Sequence, residues 1–268
     1  MPNNITRPRL VLTAILFLLV LVNSLLIGDI KWRLYRQEKI ASEKSRPANV
    51  ELTIISAPDC KACSDISLLL EQLKKKNIKI TSEKTAPVAS DEAVELLKKY
   101  TIVKVPTIIL RGELEKNADL KEFLSAAGQI QSDGVFIATN LLPPYLDPVS
   151  GQVKGVFTVT YLTDKTCKEC YDPTLHRQAL QNFGMQASEE KTIDRADKAG
   201  AQLIAKYKIT SVPTLVLQGD LKEYSALGQI WSQVGTIEKD GTYIFRAGQD
   251  IMGVYKDLKT GQLKNVKK

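Results

Sequence analysis

The chain has 268 residues, 44% of them hydrophobic, with 37 Lys+Arg against 30 Asp+Glu and a net charge of +7. That length has room for about two domains, and the apolar content excludes a disordered chain. The lysines are scattered along helical patterns instead of being gathered with aromatics, which argues against nucleic-acid binding; a single histidine, His176, argues against His-dependent zinc and Cys-His hydrolase chemistry.

The first element is an uncharged run, "LVLTAILFLLVLVNSLLI", over residues 10–27. As a helix it is about 27 Å long, close to the ~30 Å of a hydrocarbon layer. Arg7 and Arg9 precede it, and Trp32, Arg33, Tyr35 and Arg36 follow where interfacial aromatics and snorkelling cations sit. A cleaved signal peptide is the alternative, but no A-x-A-like site follows the run. The expectation is a short basic tail over residues 1–9, a transmembrane helix over 10–28 and a helical juxtamembrane stalk over 29–48. Basic residues at both ends leave the orientation open. Paired thiols suit an oxidising compartment, so the bulk of the chain is expected outside the cytoplasm, tethered to the cell membrane.

Beyond the stalk the chain repeats itself. Cys60 and Cys167 are 107 residues apart, and so are Val105-Pro106-Thr107 and Val212-Pro213-Thr214, Gly112 and Gly219, and Asp133-Gly134 and Asp240-Gly241. "YLDPVSGQVKG" from Tyr145 returns as "YKDLKTGQLKN" from Tyr255, now offset by 110. Ordered landmarks at near-constant spacing mark a duplication. The predicted units are 49–155 and 156–268.

Each unit begins with a β-rich run, residues 50–56 and 156–162, followed at once by a CxxC pair. After Cys63, Ile66, Leu69, Leu70 and Leu73 fall at i, i+3, i+4, i+7, predicting a helix whose first turn holds the cysteines. Tyr171, Leu175, His176 and Phe183 give a weaker stripe after Cys170, and His176 reads as a helix-surface or interface residue. "NIKIT" predicts a strand, Ser90-Asp91-Glu92 opens a helix ending in Lys98-Lys99, and "DKAGAQLIAKY" is its counterpart. The strands "VPTIIL" and "VPTLVL" follow, each led by proline, then a helix and an Asp-Gly turn into a last strand. The β-α-β-α-β order implies an α/β sheet with helices on its faces.

The four cysteines, Cys60, Cys63, Cys167 and Cys170, leave none unpaired. On spacing alone they fit redox centres, structural disulfides on a binding scaffold, or a four-cysteine metal site. Zinc knuckles usually lie some 15–20 residues apart, which disfavours the last.

A strand feeding a CxxC, with Val-Pro-Thr leading a strand 46 residues after the first cysteine, twice over, resembles the thioredoxin fold. The two units together look like the tandem protein disulfide oxidoreductases, with a membrane anchor added. The resemblance implies two thioredoxin-like domains, each a central mixed sheet with flanking helices. It implies cis bonds before Pro106 and Pro213, and a loop of Val105, Pro106, Val212 and Pro213 that meets the substrate backbone. It also implies that Cys60 and Cys167 act as nucleophiles and Cys63 and Cys170 as resolving thiols, with no cofactor. The partners implied are protein thiol or disulfide substrates and a redox partner, with no nucleic acid. Lys-Ala and Lys-Glu between the cysteines depart from the Gly-Pro and Pro-His types, which leaves oxidase, reductase and isomerase open.

Overall fold

The structure, a computed structural model, describes the backbone of residues 6–265 and the side chains of residues 16–265. It opens with one continuous helix, α1 (Thr6–Ser45), so the expected membrane segment and stalk are joined without a break. Residues 1–5 of the expected basic tail and the side chains up to residue 15 lie outside the described residues, while the backbone of residues 6–9 belongs to α1 instead of a separate tail. Among the described residues no helix is long and apolar enough to cross a membrane, so the expected span over residues 10–28 is not found there. Of the run, only Leu16–Ile27 falls among the residues whose side chains are described, and Asp29, Lys31 and Arg33 follow it. Its large apolar side chains, Leu16 to Ile27, are all exposed. The C-terminal end of the helix is anchored to the first unit: Arg46 forks onto Glu113 at 2.7 and 2.5 Å, and Glu113 also accepts the Asn49 N–H. Arg46 and that amide pull the Glu113 carboxyl down to about 2.

The first unit runs β1 (Ala48–Ser56), α2 (Ser67–Lys74), β2 (Ile78–Pro87), α3 (Asp91–Lys99), β3 (Thr107–Gly112), α4 (Ala118–Ala127), β4 (Gly128–Ile130) and β5 (Phe136–Ala138). The sheet order is β2-β1-β3-β5-β4, with β2 parallel to β1 and β3 antiparallel to it. Side chains alternate across a strand. Val50, Leu52, Ile108, Leu110 and Phe136 therefore pack under Leu73 of α2 and Leu120 and Leu124 of α4, while Ile55, Ile109 and Ile137 pack under Ala93 of α3. Burying each such leucine stabilises the unit by about 1.5–3 kcal/mol. Ser90 caps α3 by accepting the Ala93 N–H, as its position before two acidic residues predicts. A hairpin of β6 (Tyr145–Asp147) and β7 (Gln152–Lys154) follows.

The second unit repeats this plan with β8 (Phe157–Thr163), a 3-10 turn at Pro173–Leu175, α5 (His176–Asn182), β9 (Glu189–Asp194), α6 (Lys198–Tyr207), β10 (Ser211–Val212) and β11 (Thr214–Gly219). A 3-10 turn at Leu221–Glu223 leads to α7 (Ser225–Val234), β12 (Gly235–Ile237), β13 (Tyr243–Phe245), α8 (Gln249–Met252) and the hairpin β14 (Tyr255–Asp257) and β15 (Leu263–Lys264). Its sheet order, β12-β13-β11-β8-β9, is that of the first sheet. Phe157, Val159 and Tyr161 meet Leu227 and Trp231 of α7 on one face; Leu162 and Val216 meet Tyr207 of α6 on the other.

Small interactions recur at the sequence offset. Thr107 donates to the Ala138 carbonyl as Thr214 does to that of Phe245, and Tyr100 and Tyr207 reach Asp133 and Asp240. Gly112 and Gly219 have φ of +120° and +133°, where a Cβ would strike the Asn49 and Val156 carbonyl oxygens. The architecture is mixed α/β and consistent with the thioredoxin-like fold.

Candidate redox site

Each β-rich strand that opens a unit ends beside its cysteines. Cys60 is joined to Cys63, and Cys167 to Cys170, as disulfides whose Cα atoms are 5.4 Å apart in both cases. The Cys60 N–H donates to the Ala57 carbonyl and the Cys63 N–H to that of Cys60, which folds the pair into a tight turn; the Cys167 N–H donates to the Asp164 carbonyl in the same way. All four cysteines are half-buried, and Lys61, Lys168 and Glu169 between them are exposed.

The cysteines do not lie in the first turn of a helix, as the spacing predicted. α2 begins at Ser67, whose N–H and hydroxyl are both held by Asp65, and the Ser64 N–H donates to the Pro144 carbonyl at 2.7 Å instead of facing a helix end. In the second unit Pro173 and the Asp172 turn set the start. A helix dipole fades within about one turn, so its help to a thiolate at Cys60 or Cys167 is weaker than the sequence implied.

The Val105–Pro106 and Val212–Pro213 bonds are cis, as is Pro143–Pro144. The Val105 carbonyl oxygen is 3.9 Å from Cys63 Sγ, so the proline-led loop stands beside the first disulfide. Val105 and Val212 are fully buried; Pro106 is half-buried and lines a groove of about 440 Å³ with Ser64, Pro144, Tyr145 and Gln186. Pro213 is buried, because the Tyr171 side chain lies over its loop and donates to the Pro213 carbonyl at 3.0 Å.

His176 is not on the surface. It is 5% exposed, stacks edge-on to Phe245 and lies 3.3 Å from the Tyr171 hydroxyl. Since Tyr171 gives its proton to Pro213, the imidazole Nε2 donates to Tyr171. Burial pulls the imidazole down to about 4, so it is neutral at pH 7.

Sequence reasoning missed the floor of the second centre. Asp164, with its side chain 1% exposed, binds Arg195 at 2.6 Å and Lys256 at 3.0 Å. Burial alone would push its carboxyl up, but Thr166, Lys256 and Arg195 hold it well below the usual carboxylate range. The same positions in the first unit are Ala57, Val88 and Leu146, which pack together without charge. The signal was readable: laying one copy on the other at the repeat offsets aligns the three pairs.

Among the described residues no group of three or more His, Cys, Asp or Glu side chains is placed to hold a metal ion. No protein-family model matches the chain, and no curated protein matches it. Among solved structures it is similar to the NTD_N/C domain of alkylhydroperoxide reductase AhpF from Enterococcus faecalis, at 14% identity over 73% of this chain and 98% of that one, with a TM-score of 0.20. It is also similar to full-length ERdj5, at 11% identity over 66% of this chain and 27% of that one, with a TM-score of 0.18. Likenesses this distant carry no argument; two close cysteine pairs on a thioredoxin-like fold support a redox thiol-disulfide role in general.

Proposed function

We propose that the chain is a thiol-disulfide oxidoreductase that exchanges disulfides with protein substrates through both CxxC centres. What carries the reading is that each disulfide is half-exposed at the end of a central strand, and that the first lies beside a proline-led loop. In the reduced form the Cys60 or Cys167 thiolate attacks a substrate disulfide; one substrate sulfur leaves as a thiolate and takes up a proton. Cys63 or Cys170 then attacks the mixed disulfide and releases the second substrate thiol. Two electrons pass from the dithiol to the substrate, and a redox partner of the opposite kind restores the pair. Of the four residues expected to meet substrate, Pro106 lines the open groove, while Val105, Val212 and Pro213 are buried and shape the loop from beneath; the units are 49–155 and 156–268.

The test is insulin-type disulfide reduction. Cys60→Ser and Cys167→Ser are each expected to lower the rate; unchanged turnover in both would end the reading. A second reading, in which the Cys167–Cys170 disulfide is structural, is favoured by the burial of Pro213 under Tyr171, and loss of activity in Cys60→Ser alone selects it.

For location we propose a single-pass anchor over residues 10–28 with the sheets outside the cytoplasm. Its support is the uncharged run together with the exposure of every large apolar side chain from Leu16 to Ile27, since a helix apolar all round needs an apolar environment. A membrane-impermeant thiol reagent applied to intact cells after reduction should label the cysteines; no labelling overturns this placement.

A further inference from the structure

Beside each disulfide the chain supplies its own short strand. In the first unit, Val105 and Leu146 exchange both backbone hydrogen bonds, at 3.0 and 2.8 Å, while the adjoining Pro144 carbonyl takes the Ser64 N–H next to Cys63. In the second unit, Val212 pairs antiparallel with Lys256, and the Val254 carbonyl takes the Tyr171 N–H next to Cys170. Ser64 and Tyr171 are 107 residues apart and Pro144 and Val254 110 apart, so one strap has been built twice. Each strap continues into a hairpin whose turn is held by an aspartate: Asp147 accepts from Val149 and Ser150, and Asp257 from Lys259 and Thr260.

The backbone at Val105 is the strand edge within reach of Cys63. A free edge there would be a ready template for an extended peptide, since strand addition draws its affinity from main-chain hydrogen bonds. That edge is already filled. We infer that Pro144–Leu146 and Val254–Lys256 are resident occupants of the peptide-pairing edges, so that both centres exchange with protein disulfides whose flanking chain forms no strand with the protein, those carried on tight turns. This rests on the exchange reading above and specifies its substrate class. The chemistry is unchanged: one cysteine thiolate attacks, the substrate S–S bond breaks, and the second cysteine releases the other thiol as the protein disulfide closes.

The experiment uses full-length protein carrying Cys167→Ser and Cys170→Ser, reduced with dithiothreitol and freed of it. It is mixed with a capped cysteine disulfide, or with the same disulfide flanked on each side by four extended, β-branched residues. The flanks should change the second-order rate constant by less than about threefold. In Leu146→Pro, which removes the N–H given to Val105, they should raise it by about tenfold or more, since two main-chain hydrogen bonds become available. A tenfold gain from the flanks without Leu146→Pro, or none in a folded Leu146→Pro protein, overturns the inference and leaves the exchange reading standing. If Leu146→Pro does not fold, the flank comparison on the unaltered strap decides alone. No reaction with either disulfide overturns the inference at the first centre and, when Cys60→Ser, Cys63→Ser protein fails in the same way, ends the exchange reading too.

Discussion

Lys256 reaches from the strap of the second unit to the buried Asp164 carboxylate at 3.0 Å, at positions where the first unit places Leu146 near Ala57. One architecture has thus been floored in two ways, by carbon in the first unit and by a carboxylate with two cations in the second.

That exchange predicts a pattern of stabilities. Lys256→Leu alone removes one of the two cations facing a nearly unexposed carboxylate and should cost on the order of 2 kcal/mol. The triple change Asp164→Ala, Arg195→Val, Lys256→Leu installs the residues that the first unit uses, and should cost clearly less than the three single changes added together. Urea unfolding measures both. Additive losses would mean that the three side chains do not act as a unit.

It also predicts unequal potentials. The Cys167 N–H is bonded to the Asp164 carbonyl and the Lys165 N–H to the buried Asp194 carboxylate, so the second pair stands on two carboxylates and two cations, whereas Ala57, Val88 and Leu146 hold matching positions in the first unit. Glu169 also stands between the second pair where the first has Ala62. Fixed charges beside a thiol shift its thiolate fraction and with it the potential of the pair. Redox titration of variants that keep a single pair should give two different values, and equal potentials would show that the cluster is not felt at the sulfurs.

The repeat made most of the fold legible: the strand and helix order, the proline-led strands and the Asp-Gly turns all follow from local pattern and offset. What escaped were effects of distant chain. The helix after Cys63 starts late because Pro144, eighty residues on, takes the Ser64 N–H, and no local periodicity reports that. His176 read as a helix-surface or interface residue because it is the one histidine and has no ligand partners in the sequence; the aromatic side chains that cover it, Tyr171 and Phe245, come from a turn and from β13. The two CxxC pairs, which the structure joins as disulfides, were plain from the sequence.

Burial of His176 gives the fold a pH dependence. Its folded value of about 4 lies below the 6.5 of an exposed imidazole, so between those values the unfolded chain binds more protons. The stability is complete above about pH 6.5 and is lost progressively as pH falls toward 4, by about 3 kcal/mol in all. In His176→Phe that part of the pH dependence should vanish. An unchanged profile from pH 7 to 4 would assign it to other groups.

The last relationship joins the two halves of the chain. Tyr145, the first residue of β6, donates its hydroxyl to Glu223 at 2.6 Å across 78 residues of sequence, and the Tyr224 hydroxyl and Asp220 carboxylate hold the two sides of the Gly155 peptide. Burial and the Glu223 carboxylate push the Tyr145 hydroxyl up, so it stays a donor throughout the ordinary pH range. A charged acceptor makes such a bond worth about 1.5–3 kcal/mol when half-buried. Tyr145→Phe and Glu223→Gln should each lower stability, and the double variant should lose little more than the worse single one. A coupling of about 1 kcal/mol in that cycle is the expected result. Because Tyr145 precedes Leu146 in the strap, the same Tyr145→Phe change should also speed amide exchange at Val105 and Leu146. Protection there that ignores the variant would show the strap to be held by its own unit alone.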